Sequence, residues 1–136
     1  MSNIPNKAWF KNGILYNEIH GVINLATMLD LVKLDKELII QNNLKLVPSI
    51  HILTDTSGED FKIKPSEYGK LIIAGNILMF YSGIWVVGAD NELREKSKII
   101  QKLFFSEKLR WVDTLDQAEA DIKANNDNGL ALLELN

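Results

Sequence analysis

The chain has 136 residues, 46% of them hydrophobic and 24% charged, with no cysteine and a formal net charge of −3. That length fits one domain with a sizeable core. The lack of cysteine excludes disulfides, thiolate metal sites and Cys nucleophiles together, and it fits a reducing, cytoplasmic setting. The slightly acidic balance offers no concentrated basic face, so nucleic acid is not an expected partner.

The first ten residues, "MSNIPNKAWF", contain one Lys and no apolar run, so no secretory signal is expected. Residues 1–7 read as a loose tail. "AWFKNGILYNEIHG" then gives two extended runs around Asn12-Gly13, the strongest short hairpin signal. From Asn24 to Asn43 the period becomes helical, with Leu25, Met28, Leu29, Val32, Leu38 and Ile39 as the apolar stripe and Asn24 or Thr27 near its start. Pro48 opens the next strand, where a missing donor is tolerated. After a loop at 55–64, Pro65 or Ser66 heads a second helix.

The stretch from Leu71 to Ala89 carries no charge and meets the length of roughly 17–25 residues that a membrane helix needs. Asn76, Ser82 and three glycines interrupt it, and its second half, "GIWVVG", reads as a buried strand. A helix, a turn and a central strand are therefore expected instead of a membrane span. Asp90 or Asn91 caps a third helix with Leu93, Ile99, Ile100, Leu103 and Phe104 on its apolar face. "RWV" is a short strand, and Thr114 with Gln117 forms a capping box for a fourth helix. The resulting fold class is α/β: a single domain over 8–126, a mostly parallel sheet of about five strands with an N-terminal antiparallel hairpin, and about four helices. Residues 127–136 form an apolar extension, expected as a strand, a helix or a partner-binding tail.

The most suggestive stretch is "HILTDTSGED", in which a buried strand runs into Asp55, Thr56, Ser57 and Gly58. Ligands and reacting groups gather at the carboxyl ends of strands in open α/β sheets. The same residue types also serve turns and helix caps for local reasons. His20 and His51 are the only histidines and lie in no short-spaced ligand cluster, so no metal or other cofactor is expected. A Ser57–His51–Asp55 triad lacks a nucleophile-elbow pattern. An Asp55 phosphoacceptor lacks the further acids that would hold a magnesium ion. The aromatics, Trp9, Trp85 and Trp111 among them, mostly fall at core-facing spacing. Phe104 and Phe105 are the exception, because two consecutive helix residues do not share one face, and one of them is expected at an interface.

The order of elements and the "ILTDTSG" strand end resemble the SpoIIAA-like branch of the STAS superfamily. The stretch from "GIWVVGADNELREKSKII" through "RWVDTLDQAEADI" looks like that branch's second half, and the likeness covers roughly residues 8 to 125. The resemblance implies a small regulatory or scaffold domain without enzymatic activity. Relatives that antagonise anti-sigma factors carry a phosphorylatable Ser in an Asp-Ser-Ser-Gly-like motif heading the helix after the third strand. In this chain Asp55-Thr56-Ser57-Gly58 follows the strand directly, about eight residues before the helix. The carry-over makes Ser57 the modified residue, Thr56 its alternative and Asp55 a structural neighbour. The expected function is regulation through contacts with a protein partner, in a homodimer built on the third helix or the tail. The alternative is a carrier or sensor of a small apolar ligand or lipid, since SEC14-type carriers share a distantly similar fold.

Overall fold

The computed structural model describes residues 4–75, 81–100 and 109–124. Its first two strands, β1 (Lys7–Lys11) and β2 (Ile14–His20), form the expected hairpin. Asn12 and Gly13 take φ of 53° and 79°, the left-handed pair that a two-residue type I′ turn requires. Lys7, counted with the tail in the sequence, is already the first residue of β1.

Helix α1 (Leu25–Gln41) starts at Asn24, whose side chain accepts from the Thr27 N–H at 2.9 Å while the Thr27 hydroxyl accepts from the Asn24 N–H at 3.0 Å. Two of the first turn's orphan donors are satisfied in this way. Strand β3 (Val47–Thr54) begins one residue before Pro48, at a register irregularity against the next strand. Pro65 opens a short 3-10 turn, and α2 (Tyr68–Gly75) starts only after it, later than the sequence suggested. Strand β4 (Tyr81–Val87) includes Tyr81 and Ser82 ahead of the glycine-bounded run. Then come α3 (Asn91–Ile100), β5 (Leu109–Val112) and α4 (115–124). The uncharged 71–89 stretch therefore ends α2 and supplies β4, and no helix among the described residues is long and apolar enough to cross a membrane.

The strands lie in the order β1-β2-β3-β4-β5, antiparallel at β1–β2 and parallel elsewhere, which gives a single α/β domain. Alternate residues serve opposite faces of this sheet. Ile14, Tyr16, Ile50, Trp85 and Val87 pack with Ala118 and Ile122 of α4. Leu15, Ile19, Val47, Ile84 and Val86 belong to the other face, where Leu31 and Ile39 of α1 and Leu93 of α3 cover them. On the α4 face two aromatics find acidic partners. The Tyr16 hydroxyl donates to Glu119 at 2.8 Å, and Trp85 Nε1 donates to Asp121. Trp9 stacks on Tyr16 at 5.2 Å with the rings nearly parallel. Burial and the Glu119 carboxylate push the Tyr16 phenol up to about 12.

Candidate functional site

The loop after β3 is built by its own residues. Asp55 is exposed and adopts φ 53°, a left-handed conformation that Asp tolerates better than most residues. The Thr56 hydroxyl sits among three carbonyl oxygens, of Thr54 at 3.0 Å, Gly21 at 3.1 Å and Ile19 at 3.4 Å. Its single proton serves one of them at a time and ties the loop to the end of β2. The Ser57 N–H donates to Asp60 Oδ2 at 2.8 Å, and the Ser57 hydroxyl lies 3.3 Å from the same oxygen. Gly58–Asp60 makes one 3-10 turn. The chain after it pairs with Ile23 through Ile23 N–H to Asp60 O at 2.8 Å and Lys62 N–H to Ile23 O at 2.7 Å.

Gly58 joins this loop to α3. It is buried, and a Cβ there would stand 2.4 Å from Glu92 Cβ and 2.7 Å from the Leu93 backbone nitrogen. Asp90 accepts from the Leu93 N–H at 2.8 Å and from the Gly58 N–H at 3.1 Å, so one carboxylate caps the helix and holds the loop. These two amides, Leu93 first, hold the Asp90 carboxyl below its ordinary range. Lys96 completes the clasp by donating to Gly58 O at 2.8 Å.

Beside the loop, His20 is almost wholly buried between two acids. Nε2 is 2.6 Å from Glu18 Oε1, and Nδ1 is 3.7 Å from Asp55 Oδ2. The His20 N–H donates to the Asn6 side chain at 2.8 Å. The four sequence-selected residues therefore share one loop, in which Asp55 is exposed, Thr56 and Ser57 are half-buried and Gly58 is buried against α3. The Ser57 hydroxyl is bonded to Asp60, while His51 stands within β3 on the α1 face, so the hydrolytic triad considered from sequence is not assembled. Among the described residues no group of three or more His, Asp or Glu side chains could hold a metal ion. Phe104, Phe105 and the 127–136 extension lie outside the described residues.

Sequence reasoning missed a second constellation, under α1. Asp35, Asn17 and Ser49 are 1%, 0% and 0% exposed. Asp35 Oδ1 accepts from Asn17 Nδ2 at 2.7 Å, and Oδ2 accepts from the Tyr81 hydroxyl. His51 meets the Tyr81 ring edge-on at 6.4 Å. Of the stripe expected on α1, Ile39 is buried and Met28, Val32 and Leu38 pack against the core, while the fully buried line also takes in Leu31 and Asp35, which the stripe left out. The chain matches no family model and no curated protein.

Proposed function

We propose that the protein is a non-enzymatic regulatory or scaffold domain, SpoIIAA-like in kind. It would act through contacts with a protein partner at the surface made by residues 55–60 and the first turns of α3. One observation carries the reading: the strand-end loop is clamped to α3 through Gly58, Asp90 and Lys96. A recognition loop fixed before binding loses little conformational entropy on association, which is how rigid surfaces gain affinity. Its exposed charges, Asp55 and Glu59, point to a partner with a basic or hydrogen-bonding patch.

The same geometry supports a phosphate switch at Ser57 in preference to Thr56. The Thr56 hydroxyl is tied to backbone carbonyls of β2, β3 and Gly21, whereas the Ser57 hydroxyl meets only Asp60 among the described residues. A phosphate on Ser57 adds close to two negative charges beside Asp60 and drives the two side chains apart.

The test is chemical cross-linking in native extract with the wild-type chain and with a variant carrying Asp55→Asn and Glu59→Lys. Asparagine keeps a residue that tolerates φ 53°. The expected outcome is a defined cross-linked protein that the variant loses while its melting temperature is unchanged. An identical cross-linking pattern from the two proteins would remove this surface from the proposal.

A further inference from the structure

His20, at the end of β2, stands between two carboxylates with one proton fewer than they ask for. Nε2 lies 2.6 Å from Glu18 Oε1, so it carries a hydrogen, because a lone pair there would face an anion at contact distance. Nδ1 lies 3.7 Å from Asp55 Oδ2, closed off from solvent and without a hydrogen-bond partner among the described residues. The His20 side chain is only 4% exposed, and enclosed polar atoms are normally satisfied. Neutral imidazole has a single N–H, so with Nε2 protonated its Nδ1 turns a lone pair toward Asp55. The imidazolium turns an N–H there instead.

The fold brings the two residues together and leaves one of them able to move. Thr54 is the partner of His20 across the parallel β2–β3 ladder, so Asp55 is the first residue past the strand end. The Thr56 hydroxyl anchors the next residue to the Ile19, Gly21 and Thr54 carbonyls. The Asp55 side chain is 59% exposed and can swing on that anchored backbone. A charge-assisted N–H···O bond is about 2.7–2.9 Å long, so closure needs a shift of about 1 Å.

We propose that His20 is a proton-operated latch on the strand-end loop. With both ring nitrogens protonated it bridges Glu18 and Asp55 and draws the Asp55 carboxylate against the end of β2. Loss of the Nδ1 proton to solvent lets that carboxylate go. Among the described residues, Glu18 reaches the ring from β2 itself and Asp55 from the loop after β3. From β1, exposed Lys7 is the partner of Glu18 across the hairpin. On α4, which packs on this face, Glu119 takes the Tyr16 hydroxyl. Asn6, which accepts the His20 backbone N–H, is uncharged. The latch requires nothing but this chain. Its consequence for binding, that acid withdraws one charge from the contact surface, rests on the proposed function.

The test is an NMR titration of the full chain from about pH 8 to pH 5, the range in which imidazole changes charge. The His20 ring signals and the Asp55 carboxyl carbon are expected to move at one shared midpoint, with nitrogen-15 shifts marking Nδ1 as the atom that gains the proton. Asp55→Asn keeps a residue that tolerates φ 53° and removes the charge. It is expected to weaken proton binding at His20 about two- to fivefold, the range of a partly exposed ion pair. Asp30→Asn, a matching charge change at an exposed position of α1, is expected to leave the His20 curve in place. Equal shifts in the two variants, or no shift in Asp55→Asn, overturn the latch. The wild-type titration keeps the test decisive if Asp55→Asn does not fold. Proton uptake at Nε2, or an Asp55 carboxyl carbon that ignores the His20 midpoint, overturns the proposal by itself.

Discussion

Replacing Gly58 by alanine probes the clasp between the strand-end loop and α3. The new Cβ would meet Glu92 Cβ and Cγ at 2.4 Å and the Leu93 backbone nitrogen at 2.7 Å. Carbon atoms rest at about 3.5–4.0 Å, so loop and helix must part by roughly 1 Å. Glu92 can swing its outer atoms aside, but the Leu93 nitrogen belongs to the first turn of α3 and cannot. A separation of that size takes the bonds from Gly58 N–H to Asp90, now 3.1 Å, and from Lys96 to Gly58 O, now 2.8 Å, out of range. Overpacking of this kind costs about 1–3 kcal/mol, and the partly exposed bonds to Asp90 and Lys96 loosen with it. The expected loss for Gly58→Ala is about 1–3 kcal/mol by urea unfolding. Gly69→Ala is the control, since Gly69 lies in α2 with nothing within 4 Å of its added carbon. There alanine should stabilise by about 0.5–1 kcal/mol. A Gly58→Ala protein within about 0.5 kcal/mol of wild type, or equal losses at both glycines, would refute the clasp.

Removing the Thr56 hydroxyl by Thr56→Val should cost about 1–2 kcal/mol in the same assay, because the carbonyls around it lose their shared donor. Ser57→Ala should cost under about 0.5 kcal/mol, since it removes one long, partly exposed bond; equal costs would show that Thr56 is no more structural than Ser57. Ser57→Asp sets a carboxylate beside Asp60 and should lower stability by about 1 kcal/mol, a loss that shrinks in high salt as the charges are screened. Light scattering at tens of micromolar tests the homodimer expected from Phe104 and Phe105; a monomer mass for the full chain would remove it.

The elements that sequence anticipated well are those whose cause is local. Asn12-Gly13 makes its hairpin through the φ values of two adjacent residues, and Asn24 with Thr27, or Thr114 with Gln117, caps a helix within one turn. The elements placed less well depend on something distant or on competing local geometry. Pro65 suits a helix start, yet it opens a 3-10 turn and α2 begins three residues later. Gly58 was singled out as a turn glycine, whereas its backbone N–H is held by Asp90, 32 residues further along, and the room for its hydrogen is set by α3.

Asp35 is the instructive failure. Hydrophobic counting assigns an aspartate in the middle of a helix to the solvent side, because burying an isolated charge is prohibitive. What makes burial tolerable here is a pair of donors, Asn17 and Tyr81, that stand 18 and 46 residues away. No window along α1 contains either. A weaker signal was nevertheless present in the spacing. Leu31, Asp35 and Ile39 fall four residues apart, so the acid lies in phase with apolar side chains both before and after it. Asn17 likewise lies between Leu15 and Ile19 on the α1-facing side of a strand in which every residue but Glu18 is buried. Two polar residues, each in phase with the buried face of its own element, constitute a reason to pair them across space before any coordinates exist. Burying an acid costs stability unless the fold supplies it with donors, and Asn17 and Tyr81 are those donors here.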